Sequence, residues 1–151
     1  MPFVDGGAVV ELRSDDRSEH IRLRATALQR DAYPSIEFAV EAQIQSFSGR
    51  SSVWLAEDAL KAFILALAEF ERTRSGRAVL ESMDPAELRL AVSSLDASGH
   101  VLVELTLLRH AFVGARPRII DVQISGGFEL EPSSLPGVMS ALETQIASLA
   151  G

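Results

Sequence analysis

A double switch of hydrophobic period limits what this chain can fold into. Up to residue 45 apolar side chains recur at every second position. Between Leu60 and Phe70 they recur at spacings of three and four, and after Gly76 the period of two returns. Period two puts alternate side chains on opposite faces of a strand, whereas spacings of three and four gather them on one face of a helix. One helix enclosed between β-patterned halves predicts an α+β fold and argues against a βαβ rhythm with its parallel sheet.

The segments can be read individually. Ala8, Val10 and Leu12 alternate with Val9, Glu11 and Arg13. Ile21, Leu23, Ala25 and Ala27 alternate with Arg22, Arg24 and Thr26, and Ile36, Phe38, Val40, Ala42 and Ile44 alternate with Glu37, Glu41 and Gln43. Polar turns at 14–18 and 30–35 separate these runs, which read as a three-strand antiparallel meander. Phe47-Ser48-Gly49 reads as a strand end and a glycine turn.

Leu60, Phe63, Ile64, Leu67 and Phe70 then form an apolar stripe. Glu57 and Asp58 lie at its start, Arg72 and Arg74 at its end, and Gly76 is placed to stop it. Ala78-Val79-Leu80 and Leu88-Arg89-Leu90-Ala91-Val92 are short strands, and Asp96-Ala97-Ser98-Gly99 is a hairpin loop in which Gly99 supplies a positive φ. The strand at 101–108 is apolar on both faces apart from Glu104 and Thr106, as suits a central strand or a subunit interface. Ile119 to Ile124 alternates again, Gly126-Gly127 marks a bulge or bend, and Phe128-Glu129-Leu130 continues the strand. Leu135, Val138, Met139, Leu142, Ile146 and Leu149 form a second helical stripe, with Pro136 in its first turn and Ser133 or Ser134 as N-cap. The sum is a single domain over residues 1–151. It is a curved antiparallel sheet of about seven strands with two amphipathic helices, at about 55–73 and 133–149, on one face. A split sandwich is the alternative, and no internal repeat is visible.

Composition narrows the function classes. There is no cysteine, which excludes disulfides, thiol nucleophiles and thiolate metal sites and fits a reducing, cytoplasmic setting. No secretory leader is visible, and the longest nearly apolar run, 62–68, falls far short of the roughly 20 residues a membrane helix needs. Fourteen lysines and arginines against 21 aspartates and glutamates give a net charge of −7. That balance disfavours nucleic acid and anionic membranes and suits a basic protein partner.

No constellation for catalysis or cofactor binding emerges. His20, His100 and His110 fall at strand ends, without metal-ligand spacing. No nucleophile elbow is present, and Gly126-Gly127 lacks the lysine of a phosphate loop. Glu129 and Glu131 share a strand face, which serves either an acid/base pair or a solvated surface. Glu37 and Glu41 read as cross-strand partners of Arg30 and Arg24. No catalytic, metal or cofactor residue is therefore expected.

The candidates for binding are Trp54, Phe112 and the acidic strand positions Glu37, Glu41, Asp121, Glu129 and Glu131. Trp54 is of hot-spot type, but at the start of the main helix it also reads as a packing staple. Phe112 sits in a loop rich in apolar and turn residues. Leu102 and Leu108 suit either a homodimer contact or cover by a helix.

Phe47-Ser48-Gly49 leading to Trp54, the Leu60/Phe63/Leu67 helix, Gly76-Arg77-Ala78-Val79-Leu80-Glu81, Glu87-Leu88, Gly99-His100-Val101 and Phe128-Glu129-Leu130 with Leu135 together carry a resemblance. From about residue 20 onward the chain resembles small bacterial immunity proteins of the wall-associated-protein A toxin system, in spacing and residue type. The resemblance implies a cytosolic, non-catalytic protein that neutralises a toxin domain, and it assigns no contact residue. Combined with the charge, it leads to the expectation of an acidic surface that binds a basic toxin domain. The alternatives are a dimerising structural or regulatory domain and a small-molecule binder with a cavity between sheet and helices.

Overall fold

Four strands and a helix are followed by four more strands and a second helix. The computed structural model describes residues 9–115 and 118–150. Ala8 of the first strand segment, and Arg116 and Pro117 after Phe112, lie outside the described residues. The first half comprises β1 (Val10–Arg13), β2 (His20–Gln29), β3 (Ser35–Ile44), β4 (Phe47–Ala56) and α1 (Glu57–Thr73). The second comprises β5 (Arg77–Glu81), β6 (Leu88–Ser94), β7 (Val101–Val113), β8 (Arg118–Leu130), a short 3-10 turn (Pro132–Ser134) and α2 (Leu135–Leu149).

The α+β class holds, but the strands form two antiparallel four-stranded sheets, β1-β2-β3-β4 and β5-β6-β7-β8, instead of one sheet of about seven. The strand missing from the sequence reading is β4. Its core-facing positions include Gly49 and Ser51, so it shows no apolar alternation. They are small because the other sheet comes close. A Cβ on Gly49 would lie 3.2 Å from Ile124 Cγ2 on β8, and one on Gly126 would lie 3.3 Å from Ile44 Cγ2 on β3.

Other expectations are refined or corrected. Phe47-Ser48-Gly49 opens β4, and the turn before it is Gln45-Ser46, with Gln45 at φ 56°. Gly126-Gly127 makes no bulge, since the β7–β8 ladder runs unbroken from Val101 opposite Leu130 to Val113 opposite Arg118. The register shift lies instead between Ala25 and Ala27 of β2. Helix α1 reaches its left-handed residue at Arg74 (φ 54°), whose N–H donates to the Phe70 carbonyl at 2.7 Å, two residues before Gly76. At α2 the N-cap position is Ser134, one of the two expected, but its hydroxyl turns back to the Glu131 carbonyl (2.7 Å) and makes no side-chain cap. Gly99 has the expected positive φ, 93°.

The core lies between the inner sheet faces and the helices. Phe38, Leu12, Ile21 and Leu23 of the first sheet meet Phe63, Leu67 and Phe70 of α1 and Leu135, Val138 and Leu142 of α2. Each such side chain contributes about 1.5–3 kcal/mol of burial before entropy is subtracted. Helix α1 packs on β4, β5 and α2, while α2 packs on β1, β2 and α1.

The two halves also share a turn device. After β1, buried Ser14 accepts from the Glu19 N–H at 3.0 Å, and after β5, buried Ser82 accepts from the Leu88 N–H at 2.9 Å. Two residues on, Asp16 accepts from Ser18 N–H (3.0 Å) and Asp84 from Ala86 N–H (3.1 Å). The two halves thus share a strand order and this Ser-x-Asp turn.

Candidate functional site

The face of the first sheet turned away from the core carries two cross-strand rows. Arg22, Glu41 and Arg50 stand side by side on β2, β3 and β4, with Arg24, Ala39 and Ser52 next to them. The short side chains of Ala39 and Ser52 leave a floor, and Arg109 and His110 of β7, Glu87 of the β5–β6 loop and Val9 are among the other lining residues. The resulting groove encloses about 770 Å³.

The arginines differ in state. Arg22 Nε lies 2.6 Å from Glu11 and Arg22 Nη1 lies 3.4 Å from Glu41. The Arg22 hydrogen bond holds the Glu11 carboxyl below its ordinary range, and the same bond raises the guanidinium. The side chains of Arg24, Arg50 and Arg109 make no hydrogen bond or ion pair with any described residue. A protein of net charge −7 thus gathers in one groove three guanidinium groups that are unpaired among the described residues. At physiological salt the screening length is about 8 Å, so a group inside the groove responds to these guanidinium groups more than to the net charge.

Beside the groove, β7 and β8 extend past the sheet. Beyond Leu108, whose N–H donates to the Glu87 carbonyl, β7 pairs with β8 and forms a two-stranded arm. Phe112 (72% exposed), Ile119 (59%) and Val122 (53%) lie on this arm, with Val113 and Ile120 also exposed. Apolar surface of this extent on a polar background commonly marks an interaction site.

At one end of the groove, Asp84, Glu87 and His110 bring potential ligand atoms within 4.8 Å of one another. His110 Nδ1 is 2.8 Å from Asp121 Oδ1 across the arm. Sequence spacing cannot find this grouping, because a loop and a strand far along the chain supply it.

No protein-family model, curated protein or solved structure matches the chain. Among the described residues no helix is long and apolar enough to cross a membrane.

The expected binding residues divide into two regions. Trp54, Glu37, Glu41, Asp121 and Phe112 lie on or near the groove and arm. Trp54 is half-buried on the outer face opposite Glu37, and Val53 and Leu55 on either side of it enter the core. It lines a shallow cleft of about 390 Å³ with Met83, Asp84 and Glu87, and its carbonyl accepts from the Met83 N–H (2.8 Å). Glu37 takes the Thr26 hydroxyl (3.1 Å), and Glu41 lies between Arg22 and His20. The expected pairs with Arg30 and Arg24 do not form: Arg30 donates to the Ser148 carbonyl at 2.9 Å, and Arg24 faces Ala39.

Glu129 and Glu131 lie about 27 Å along the strand from Asp121 or farther. With Asp15, Asp16 and Glu19 they line a separate acidic groove of about 520 Å³. Much of its acidity is locally engaged. Ser18 and Ser14 bring the Asp16 carboxyl down to about 2, and Ser133 holds the Glu131 carboxyl below its ordinary range. Leu102 is half-buried on the outer face of the second sheet, and Leu108 is 9% exposed. The three histidines sit beside carboxylates: His20 near Glu41 (3.8 Å), His100 on Asp96 (2.6 Å) and His110 on Asp121.

Proposed function

We propose that this chain is a cytosolic, non-catalytic protein-binding module whose seat is the arginine groove with its apolar arm. The observation that carries this reading is the set of three guanidinium groups, Arg24, Arg50 and Arg109, with no acidic partner among the described residues. Arginine and large apolar residues are the types that dominate binding energy at interfaces. The groove suits an acidic segment of a partner, and Phe112 and Ile119 suit its apolar flank. The resemblance to immunity proteins makes a toxin domain the partner class to try first.

A second reading is favoured by the groove around Asp15, Asp16, Glu129 and Glu131, which suits a basic partner and matches the expectation from net charge. Charge reversal separates the two. Binding of a captured partner should weaken at least tenfold in an Arg24→Glu/Arg50→Glu variant and hold in Asp15→Lys/Glu129→Lys. The opposite pattern would move the seat to the acidic groove. Light scattering of the free chain checks whether the arm instead joins two copies.

A further inference from the structure

We infer that Asp84, Glu87 and His110 form a binding site for one divalent transition-metal ion of the zinc type. This goes beyond the protein-binding reading and does not depend on it. The argument begins with the loop. Pro85 stiffens it, Glu87 N–H donates to the Asp84 carbonyl (3.0 Å), and Leu108 N–H donates to the Glu87 carbonyl (2.8 Å). Those bonds fix Glu87 against β7 two residues before His110.

The donor set is one imidazole and two carboxylates, with ligand atoms within 4.8 Å of one another. An ion about 2.0–2.2 Å from each donor in a tetrahedral arrangement needs separations near 3.4 Å. Asp84 is exposed and can close the difference by side-chain rotation toward His110. Neither Asp84 nor Glu87 forms an ion pair with a described residue, so their negative charge is left for a cation. Asp121 supplies the outer support. An imidazole whose Nδ1–H donates to a carboxylate keeps its Nε2 lone pair for a metal and has its ring orientation fixed. Mixed nitrogen and oxygen donors suit Zn²⁺ and its neighbours better than Ca²⁺ or Mg²⁺, which take oxygen. Three protein donors leave at least one position open at the groove's end, for water or a carboxylate.

The other histidines define the contrast. At His100 the two carboxylates lie on opposite ring nitrogens, Asp96 at Nδ1 (2.6 Å) and Glu129 at Nε2 (4.0 Å), so no one point serves all three groups. At His20 the only carboxylate within ion-pair distance among the described residues is Glu41.

Calorimetric titration of the full chain with Zn²⁺ alone tests the site. One ion per chain is expected, with affinity at least tenfold weaker in His110→Ala and in Glu87→Gln and unchanged in His100→Ala. In the wild-type chain, NMR should show the His110 ring signals moving before those of His20 and His100, a readout that needs no variant to fold. Equal affinity in His110→Ala, first movement at another histidine, or no saturable binding up to millimolar Zn²⁺ would each overturn the proposal.

Discussion

Arg22 and Arg24 are two residues apart on one strand face, and only one of them is neutralised. Arg22 faces Glu41 and reaches Glu11, whereas Arg24 faces Ala39, whose methyl group offers no charge. One cross-strand neighbour thus separates a sheet-supporting arginine from one left free for a ligand. The same local logic sets the titration of His100. Asp96, on the adjoining hairpin turn, holds the imidazolium by a hydrogen bond and raises its pKa, while His100 holds the Asp96 carboxyl below its ordinary range. The His100 contribution to stability is therefore present below the ordinary histidine range and lost as pH rises through the raised value. The Asp96 contribution is present above the ordinary carboxylate range and lost as pH falls through the lowered one. NMR titration should find His100 protonated to higher pH than a free histidine, and Asp96→Asn should lower it toward the ordinary range, with Glu129 still nearby. An unchanged His100 titration in that variant would remove Asp96 as the cause.

At the scale of elements, glycines report how closely backbones approach. A Cβ on Gly127 would lie 2.5 Å from the Val103 carbonyl oxygen of the paired strand, a distance real Cβ atoms do not tolerate. Gly137, in the first turns of α2, has nothing within 4 Å of that position. Gly127→Ala should therefore destabilise by about 1–3 kcal/mol, and Gly137→Ala should stabilise by about 0.5–1 kcal/mol. Urea denaturation of both variants checks this, and equal effects would refute the close-approach account. These positions also show how much was legible in the sequence. Helix α1 was plain because Leu60, Phe63, Leu67 and Phe70 face one core. Strand β4 was hidden because its inner face abuts another sheet and needs small residues there. The groove was hidden for a different reason. Arg24, Arg50 and Arg109 come from three strands of two sheets, and only the tertiary packing gathers them into one groove. Trp54 and Phe112 could be named from residue type, but their positions beside the groove could not.

For the whole molecule, the exchange of cover between halves decides stability. The helix that ends the first half packs on β5 of the second, and the helix that ends the second returns to β1 and β2 of the first. Neither half can close a core from its own parts. Cutting the chain in the 74–76 turn should leave two fragments without cooperative unfolding on their own, and mixing them should restore a single transition. A cooperative melt from the N-terminal fragment alone would contradict this packing.

That exchange also orders events at the ribosome. Val10 and Leu12 of β1 are buried in the finished protein beside a helix, Leu135–Leu149, that is made after every strand. At about 5–20 residues per second, the first strand waits on the order of ten seconds for its cover. During that interval a short apolar strand edge is open to other nascent chains. Expression level and chaperone supply, more than the final stability, should therefore govern how much soluble protein a cell recovers.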